Sequence, residues 1–259
     1  MKSFAITGHV LVLGGSSEIG AACAEMFALH GAKAITLTYS GNESAASALA
    51  EKLRNTYDIK THIIKIQFPL ADEDVSIFAE QLEHVVAESG MEIEAMLNAI
   101  GVSPNLDFTS QTISGKEGWE RVMAINLTSA MFALRVVAER MKSKQIKGAI
   151  IQIASTNGIN SYAQFSMHYD ASKAALINAT KNAADHYGKF NIRINAVSPG
   201  WISTKINATV PTDEMEKELV RIPSQRLGSV EEVAHIAVSL AENTYMVGAN
   251  IMIDAGYRG

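Results

Sequence analysis

The chain has 259 residues, 47% of them hydrophobic, with a formal net charge of −5 and a single cysteine, Cys23. The acidic balance argues against a nucleic-acid partner, and a lone cysteine cannot close an intrachain disulfide. No charged segment leading into an apolar stretch opens the chain, and no uninterrupted apolar run reaches ~18 residues, so the expectation is a soluble, cytoplasmic protein with no membrane segment.

Strands and helices alternate along the whole sequence. Strands are predicted at 9–13, 33–39, 60–67, 93–98, 148–154, 191–197 and 249–253. Helices are predicted at 18–30, 43–56, 73–89, 117–143, 167–188, 213–220 and 230–242. Such alternation builds right-handed βαβ units. The expected fold class is therefore α/β: a single Rossmann-like, doubly wound domain over 1–259, with about seven parallel strands and helices on both faces. Two stretches are irregular, 102–116 and 199–228. Both follow strand C-termini, where ligands bind in open α/β sheets, and the segment at about 200–228 is expected to form a lid or rim.

The first βα unit carries Gly14-Gly15-Ser16-Ser17-Glu18-Ile19-Gly20 between an apolar strand and a helix. That order brings backbone N–H groups and a helix N-terminus to a pyrophosphate. An ordinary βα turn is the competing reading, since glycines are common there.

A second pattern is Tyr169-Asp170-Ala171-Ser172-Lys173, with Ser155 upstream. Tyr169 and Lys173 lie one helical turn apart and share a face. A phenol ionises near pH ~10, and a neighbouring ammonium lowers that value toward neutrality. Ser155 can then hydrogen-bond the oxygen that gains or loses the proton, a set suited to carbonyl/alcohol interconversion.

Together these motifs resemble the short-chain dehydrogenase/reductase family, most nearly its 3-oxoacyl-(acyl carrier protein) reductase branch. The resemblance runs from about residue 9 to residue 254. It includes Leu97-Asn98-Ala99-Ile100-Gly101 after strand four, Asn126 in Met123-Ala124-Ile125-Asn126-Leu127, and Ile153-Ala154-Ser155. Asn195-Ala196-Val197-Ser198-Pro199-Gly200, Arg226-Leu227-Gly228 and Asp254-Ala255-Gly256 extend it. The departures are Leu13 for the usual Thr, Glu18 for the middle glycine, and Ala99 for a second Asn. Tyr169 lies fourteen positions after Ser155, one more than the family pattern, with Asn157, Gly158, Asn160 and Tyr162 in the intervening loop. No acidic counterpart stands in Gln67-Phe68-Pro69-Leu70.

The resemblance implies a catalytic set of Asn126, Ser155, Tyr169 and Lys173. Tyr169 is then the general acid in reduction, and Ser155 positions the carbonyl. Lys173 lowers the phenol's pKa and bonds the nicotinamide ribose, while Asn126 holds a water of a proton relay. The implied cofactor contacts are Gly14, Ser16, Ser17, Ile19 and Gly20 in the turn, and Tyr39 and Ser40 at the end of strand two. Asn98, Gly101, Tyr169, Lys173, Pro199, Gly200, Ile202 and Thr204 complete them. Strand two ends Leu37-Thr38-Tyr39-Ser40-Gly41-Asn42 with no acid until Glu43. An acid there would favour NAD, so its absence leans toward NADP, with Ser16, Ser17, Ser40 and Asn42 as neutral donors. NAD stays open, because no Arg or Lys stands ready for a 2′-phosphate.

Other residues have plainer explanations. The scattered histidines show no ligand spacing, so no catalytic metal is expected. His168 is expected at the substrate pocket or its rim, and Met167 in pocket or core. Asp72, Glu73 and Asp74 suit a helix N-terminus. Lys142, Lys144 and Lys147 read as a solvated helix end. Met131, Phe132, Val136, Leu176 and Ile177 exceed one helix face, and by resemblance the protein is a homotetramer. The leading activity is NADPH-dependent reduction of a ketone or 3-oxoacyl substrate, small molecule or acyl thioester. The alternative is an NAD-dependent alcohol, sugar or polyol dehydrogenase, and a non-catalytic cofactor sensor is a third reading. In the lid, Trp201, Ile202, Ile206, Val210, Met215 and Leu219 offer apolar surface, while Asp213, Glu214, Glu216 and Glu218 disfavour an acidic partner.

Overall fold

A computed structural model of the protein describes residues 6–103, 115–160, 166–205 and 207–258. Tyr162, Ile206 and positions 104–114 of the first irregular stretch lie outside the described residues.

Seven strands form one sheet: β1 (His9–Leu13), β2 (Ala34–Tyr39), β3 (Lys60–Lys65), β4 (Ile93–Asn98), β5 (Ala149–Ile153), β6 (Arg193–Pro199) and β7 (Asn250–Ile253). All neighbours pair in parallel, in the order β3-β2-β1-β4-β5-β6-β7. The order reverses between β1 and β4, and that switch point opens a crevice at the strand C-termini. The helices are α1 (Glu18–Leu29), α2 (Glu43–Tyr57), α3 (Asp72–Ser89), α4 (Gly115–Met123), α5 (Ala130–Ser143), α6 (Met167–Gly188), α7 (Thr212–Val220) and α8 (Val230–Glu242).

The five residues of β1 are all buried, as a strand covered on both faces requires. Successive side chains point to opposite faces. Val10 and Val12 pack with Phe27 of α1, Leu49 and Leu53 of α2 and Val233 and Val238 of α8. Leu11 and Leu13 pack with Phe78 and Leu82 of α3, Leu134 and Val137 of α5 and Tyr187 of α6. Two apolar layers thus sandwich the sheet, which is the doubly wound arrangement expected.

Local chemistry sets the boundaries. Ser17 caps α1 by accepting the Gly20 N–H (3.1 Å), and Asn42 caps α2 by accepting the Ala45 N–H (3.1 Å). Asp74 closes the first turn of α3 onto the Ala71 N–H (2.8 Å), a structural use of that acidic run. Strand β6 begins two residues later than its pattern implies. Asn191 takes a left-handed turn with φ of 61°, and the far end runs on through Ser198 and Pro199 to pair with β7.

The helix expected at 117–143 is interrupted. Residues Ala124–Ser129 form a π-helical turn, and the Ser129 hydroxyl donates to the Ala124 carbonyl (2.7 Å). Residues 116–143 are, among the described residues, the helical stretch long and apolar enough to span a membrane, but half of it is buried in the protein. Its Ala130, Ala133, Leu134, Val137, Ala138 and Met141 face the interior.

Leu176 and Ile177, counted among the apolar residues beyond one helix face, are core residues at 0% and 8% exposure. Met131, Phe132 and Val136 do remain part-exposed.

Candidate active site

The turn after β1 is set by glycine. Gly14 has a φ of +74°, and a Cβ on Gly20 would stand 2.2 Å from the Gly14 carbonyl oxygen. Only hydrogen at both positions lets α1 start this close to the strand. The Ser17 hydroxyl donates to the Gly14 carbonyl (2.7 Å) and tightens the turn. Glu18 occupies the first position of α1, where an anion complements the helix dipole. Its carboxylate accepts the Lys205 N–H at 2.7 Å, from the segment after β6.

Four turns meet at the switch point and enclose a cleft of about 260 Å³. The first supplies Ser17, Glu18 and Ile19, and the second Ala99 to Ser103. The third supplies Ala154 to Asn157, and the fourth Pro199 to Ile202 with Thr204 and Asn207. Tyr169 and Lys173 of α6 project into the same cleft.

Ser155 follows β5 and caps a 3-10 turn, Thr156–Gly158, accepting the Asn157 N–H (3.2 Å). That leaves its own hydrogen to donate. A Cβ on Gly158 would lie 2.7 Å from backbone atoms of Lys173 and Ala174, so the glycine lets the serine loop press against α6 beside Lys173. Asp170 accepts from Asn157 Nδ2 (2.9 Å) and fixes the loop from its other side.

Lys173 is buried and donates to the Ile153 carbonyl (2.9 Å). Burial brings its ammonium down to about 8. Its Nζ stands 5.7 Å from the centre of the Tyr169 ring. Burial raises the Tyr169 phenol above its ordinary value; the Ser155 hydroxyl pulls the other way, and the Asp170 carboxylate adds to the rise. The net lowering expected from Lys173 is not seen, because loss of water around the phenol is the largest cause and raises it.

Asn126, in the π turn, is fully buried behind Lys173. Its Oδ1 accepts the Val102 N–H (2.8 Å), and its Nδ2 donates to the Val102 carbonyl (3.0 Å) and the Ser172 hydroxyl (3.1 Å). The π turn aims this amide at the second turn of the cleft, in keeping with the frequency of such bulges at functional sites.

Of the cofactor positions read from sequence, Ser17, Ile19, Gly101, Pro199, Gly200, Ile202 and Thr204 line the cleft. Gly14, Ser16, Gly20, Tyr39, Ser40 and Asn98 are not among its lining residues. Gly14 and Gly20 set the turn that carries Ser17 and Ile19 to the cleft instead. Asn98 is fully buried, donating to Gln152 (2.6 Å) and accepting the Ile100 N–H (3.0 Å), so it braces the second turn. Tyr39 is buried, and Glu43 hydrogen-bonds its phenol and raises it further after burial. Gln67 donates to the Ser40 carbonyl (3.2 Å), using the position where an acid was sought.

His168 does not line the cleft. It is fully buried, with its ring 6.5 Å from that of Trp119. Met167 is 48% exposed rather than core. Trp201, expected in the lid, and Asn157, noted in the loop after Ser155, line the cleft; Thr156 lines it without having been singled out, and its adjacency to Ser155 was the available signal.

A dinucleotide fits this arrangement. The glycine turn is a cradle that a side chain would fill, the N-terminus of α1 faces the cleft, and the cleft continues to Tyr169 and Lys173.

A family model described as enoyl-(acyl carrier protein) reductase matches residues 14–258. The chain is 31% identical to a 3-oxoacyl-[acyl-carrier-protein] reductase of Aquifex aeolicus, over 95% of both chains. It is 30% identical to an NADP-dependent mannitol dehydrogenase of Hypocrea jecorina, over 98% of this chain and 94% of that one. A short-chain dehydrogenase/reductase structure from Serratia marcescens superposes with a TM-score of 0.86 at 27% identity, covering 99% of this chain and 100% of the other. With the phosphate turn, the switch-point cleft and the Tyr-Lys pair all in place, the chain belongs to the short-chain dehydrogenase/reductase family and is an oxidoreductase of that family, whose members use NAD(P).

Proposed function

We propose that the protein catalyses NADPH-dependent reduction of a ketone or 3-oxoacyl group. The observation that carries this reading is one cleft lined by Ser155, Tyr169, Lys173 and the phosphate turn together. Bound reduced nicotinamide supplies the hydride. Tyr169 gives its phenolic proton to the carbonyl oxygen, which becomes the alcohol. Ser155 donates to that same oxygen, since its lone pair is held by the Asn157 N–H. Lys173, tethered to the Ile153 carbonyl, is positive near the phenol before the step; it then passes a proton to the phenolate and is itself reprotonated from solvent. Asn126 anchors the Gly101–Val102 backbone against Lys173, and we infer that its carbonyl oxygen would also accept from a water that links the lysine to solvent.

Ser17, Ile19, Gly101, Pro199, Gly200, Ile202 and Thr204 would hold the dinucleotide along the cleft. Ser40 and Asn42, without a preceding acid, favour the 2′-phosphate form. A second reading, oxidation of a small alcohol, sugar or polyol, is favoured by the exposed acids Asp213, Glu214 and Glu216 on α7. They would repel an acidic carrier protein at that rim. Exposed Tyr245, Val247 and Met252 near β7, and the part-exposed face of α5, supply apolar surface for a homotetramer, which light scattering checks.

The test is a thermal-shift titration with NADPH and NADH, followed by NADPH consumption with ketones and 3-oxoacyl thioesters. A native-state ligand raises the melting temperature as RT ln(1 + [L]/Kd). A larger shift with NADPH and turnover of these carbonyls is expected. A larger shift with NADH, with oxidation of polyols only, would overturn the leading reading.

A further inference from the structure

Glu18 stands at a glycine position of the phosphate turn and makes a contact far along the chain. It is exposed, borders the cleft, and accepts the backbone N–H of Lys205 at 2.7 Å, a partner 187 positions away in sequence. Lys205 belongs to the strap that leaves β6 and forms the opposite wall through Gly200, Ile202 and Thr204. The base of the strap is pinned separately. Ser203 donates to the Gly228 carbonyl (2.8 Å), and Gly228 donates to the Trp201 carbonyl (2.9 Å). Its far end is held by the C-terminal tail, where the Tyr257 hydroxyl donates to Glu218 of α7 and Arg258 donates to the Arg221 carbonyl (2.9 Å). Between these two fixed ends, the Glu18–Lys205 bond joins the strap to the turn across the mouth of the cleft.

We propose that Glu18 is a positioning residue, a latch that closes the strap over the dinucleotide end of the cleft and slows cofactor exchange. This rests on the reading of that cleft as a dinucleotide site. The chemistry suits the role. A carboxylate accepting a backbone N–H makes a charge-assisted bond, stronger than a neutral one. Its seat in the first turn of α1 adds attraction to the helix dipole, so the acceptor is held at the turn rather than swinging free. A glycine at this position has no atom that can reach Lys205.

The test uses the full-length protein as wild type, Glu18→Ala and Glu18→Gln. Amide hydrogen exchange at Lys205 is measured without cofactor, and NADPH dissociation by stopped-flow fluorescence. The latch predicts that Glu18→Ala speeds exchange at Lys205 by roughly ten-fold, while amides in the middle of α1 are unchanged. Glu18→Gln keeps an acceptor oxygen and should restore most of the protection. NADPH dissociation should accelerate several-fold in Glu18→Ala and return toward wild type in Glu18→Gln. Equal exchange at Lys205 in wild type and Glu18→Ala would overturn the latch. So would equal effects of Ala and Gln, which would assign the behaviour to charge at the helix end. If none of the three proteins binds NADPH or NADH, the dinucleotide reading fails, and the exchange rates still decide the latch.

Discussion

Replacing Asn126 by alanine should unsettle the cleft from behind. The residue is fully buried and makes three hydrogen bonds, two to the Val102 backbone and one to the Ser172 hydroxyl. Alanine removes all three and strands the Val102 N–H and C=O. A net hydrogen bond contributes ~0.5–1.5 kcal/mol, and a stranded buried group costs ~1–3 kcal/mol. Val102 is only part-buried, so water restores some of the loss, and a destabilisation of about 2–4 kcal/mol is expected. For a chain of this length, that lowers the melting temperature by roughly 5–15 °C. Asn126→Asp keeps the acceptor for Val102 but loses both donations, and should melt between the two. Circular dichroism melts read the stability, and cofactor turnover on the same samples reads the displaced Gly101–Val102 wall. An alanine variant melting within about 1 °C of wild type would refute the reasoning.

Three further outcomes follow from other parts of the molecule. Burial brings Lys173 to about 8, and the reductive step needs it charged, so kcat/KM should fall as pH rises through about 8; a rate flat to about pH 9.5 would contradict this. His9 is fully buried between Thr36 and Ser89, with its pKa lowered from 6.5 to about 4 chiefly by burial. Between pH 6.5 and about 4 the unfolded chain therefore binds a proton that the folded one does not. Stability is full above 6.5 and falls as pH drops through that window, by about 3 kcal/mol; urea unfolding should show a shallower pH slope in His9→Gln, and identical slopes would exclude His9 as the source. Gly158→Ala places a carbon 2.7 Å from α6 backbone and should cost ~1–3 kcal/mol with a parallel loss of turnover; an unchanged melting temperature would refute that contact.

Most of the architecture was legible because each local signal agreed with the tertiary outcome. The strand–helix alternation predicted elements that the fold keeps, and in the structure Ser17, Asn42 and Ser229 cap the starts of three of those helices. The Tyr169–Lys173 spacing placed both groups in the cleft, since a helix turn is a rigid ruler. What escaped depends on distant partners. Nothing in Ala124–Ser129 announces a π turn, because the Ser129 hydroxyl that bonds Ala124 also accepts the Leu70 N–H from another segment. Leu176 and Ile177 looked surplus on one helix face, but α6 is covered on more than one side. Asn98 resembled a cofactor contact, and its amide is committed to Gln152 on the neighbouring strand. The expected fall in the Tyr169 pKa considered only the neighbouring cation; burial of the phenol, which helix spacing does not announce, raises it instead.

The most direct test of the account compares wild type with Tyr169→Phe in single-turnover NADPH oxidation with a ketone or 3-oxoacyl thioester, alongside NADPH affinity. The account predicts unchanged folding and cofactor binding, with the chemical step slowed by roughly 10²–10⁴-fold, because the ring stays and only the proton donor is lost. A phenylalanine variant that keeps more than about a tenth of the wild-type rate would contradict the assignment of Tyr169 as the acid and, with it, the reading of this cleft.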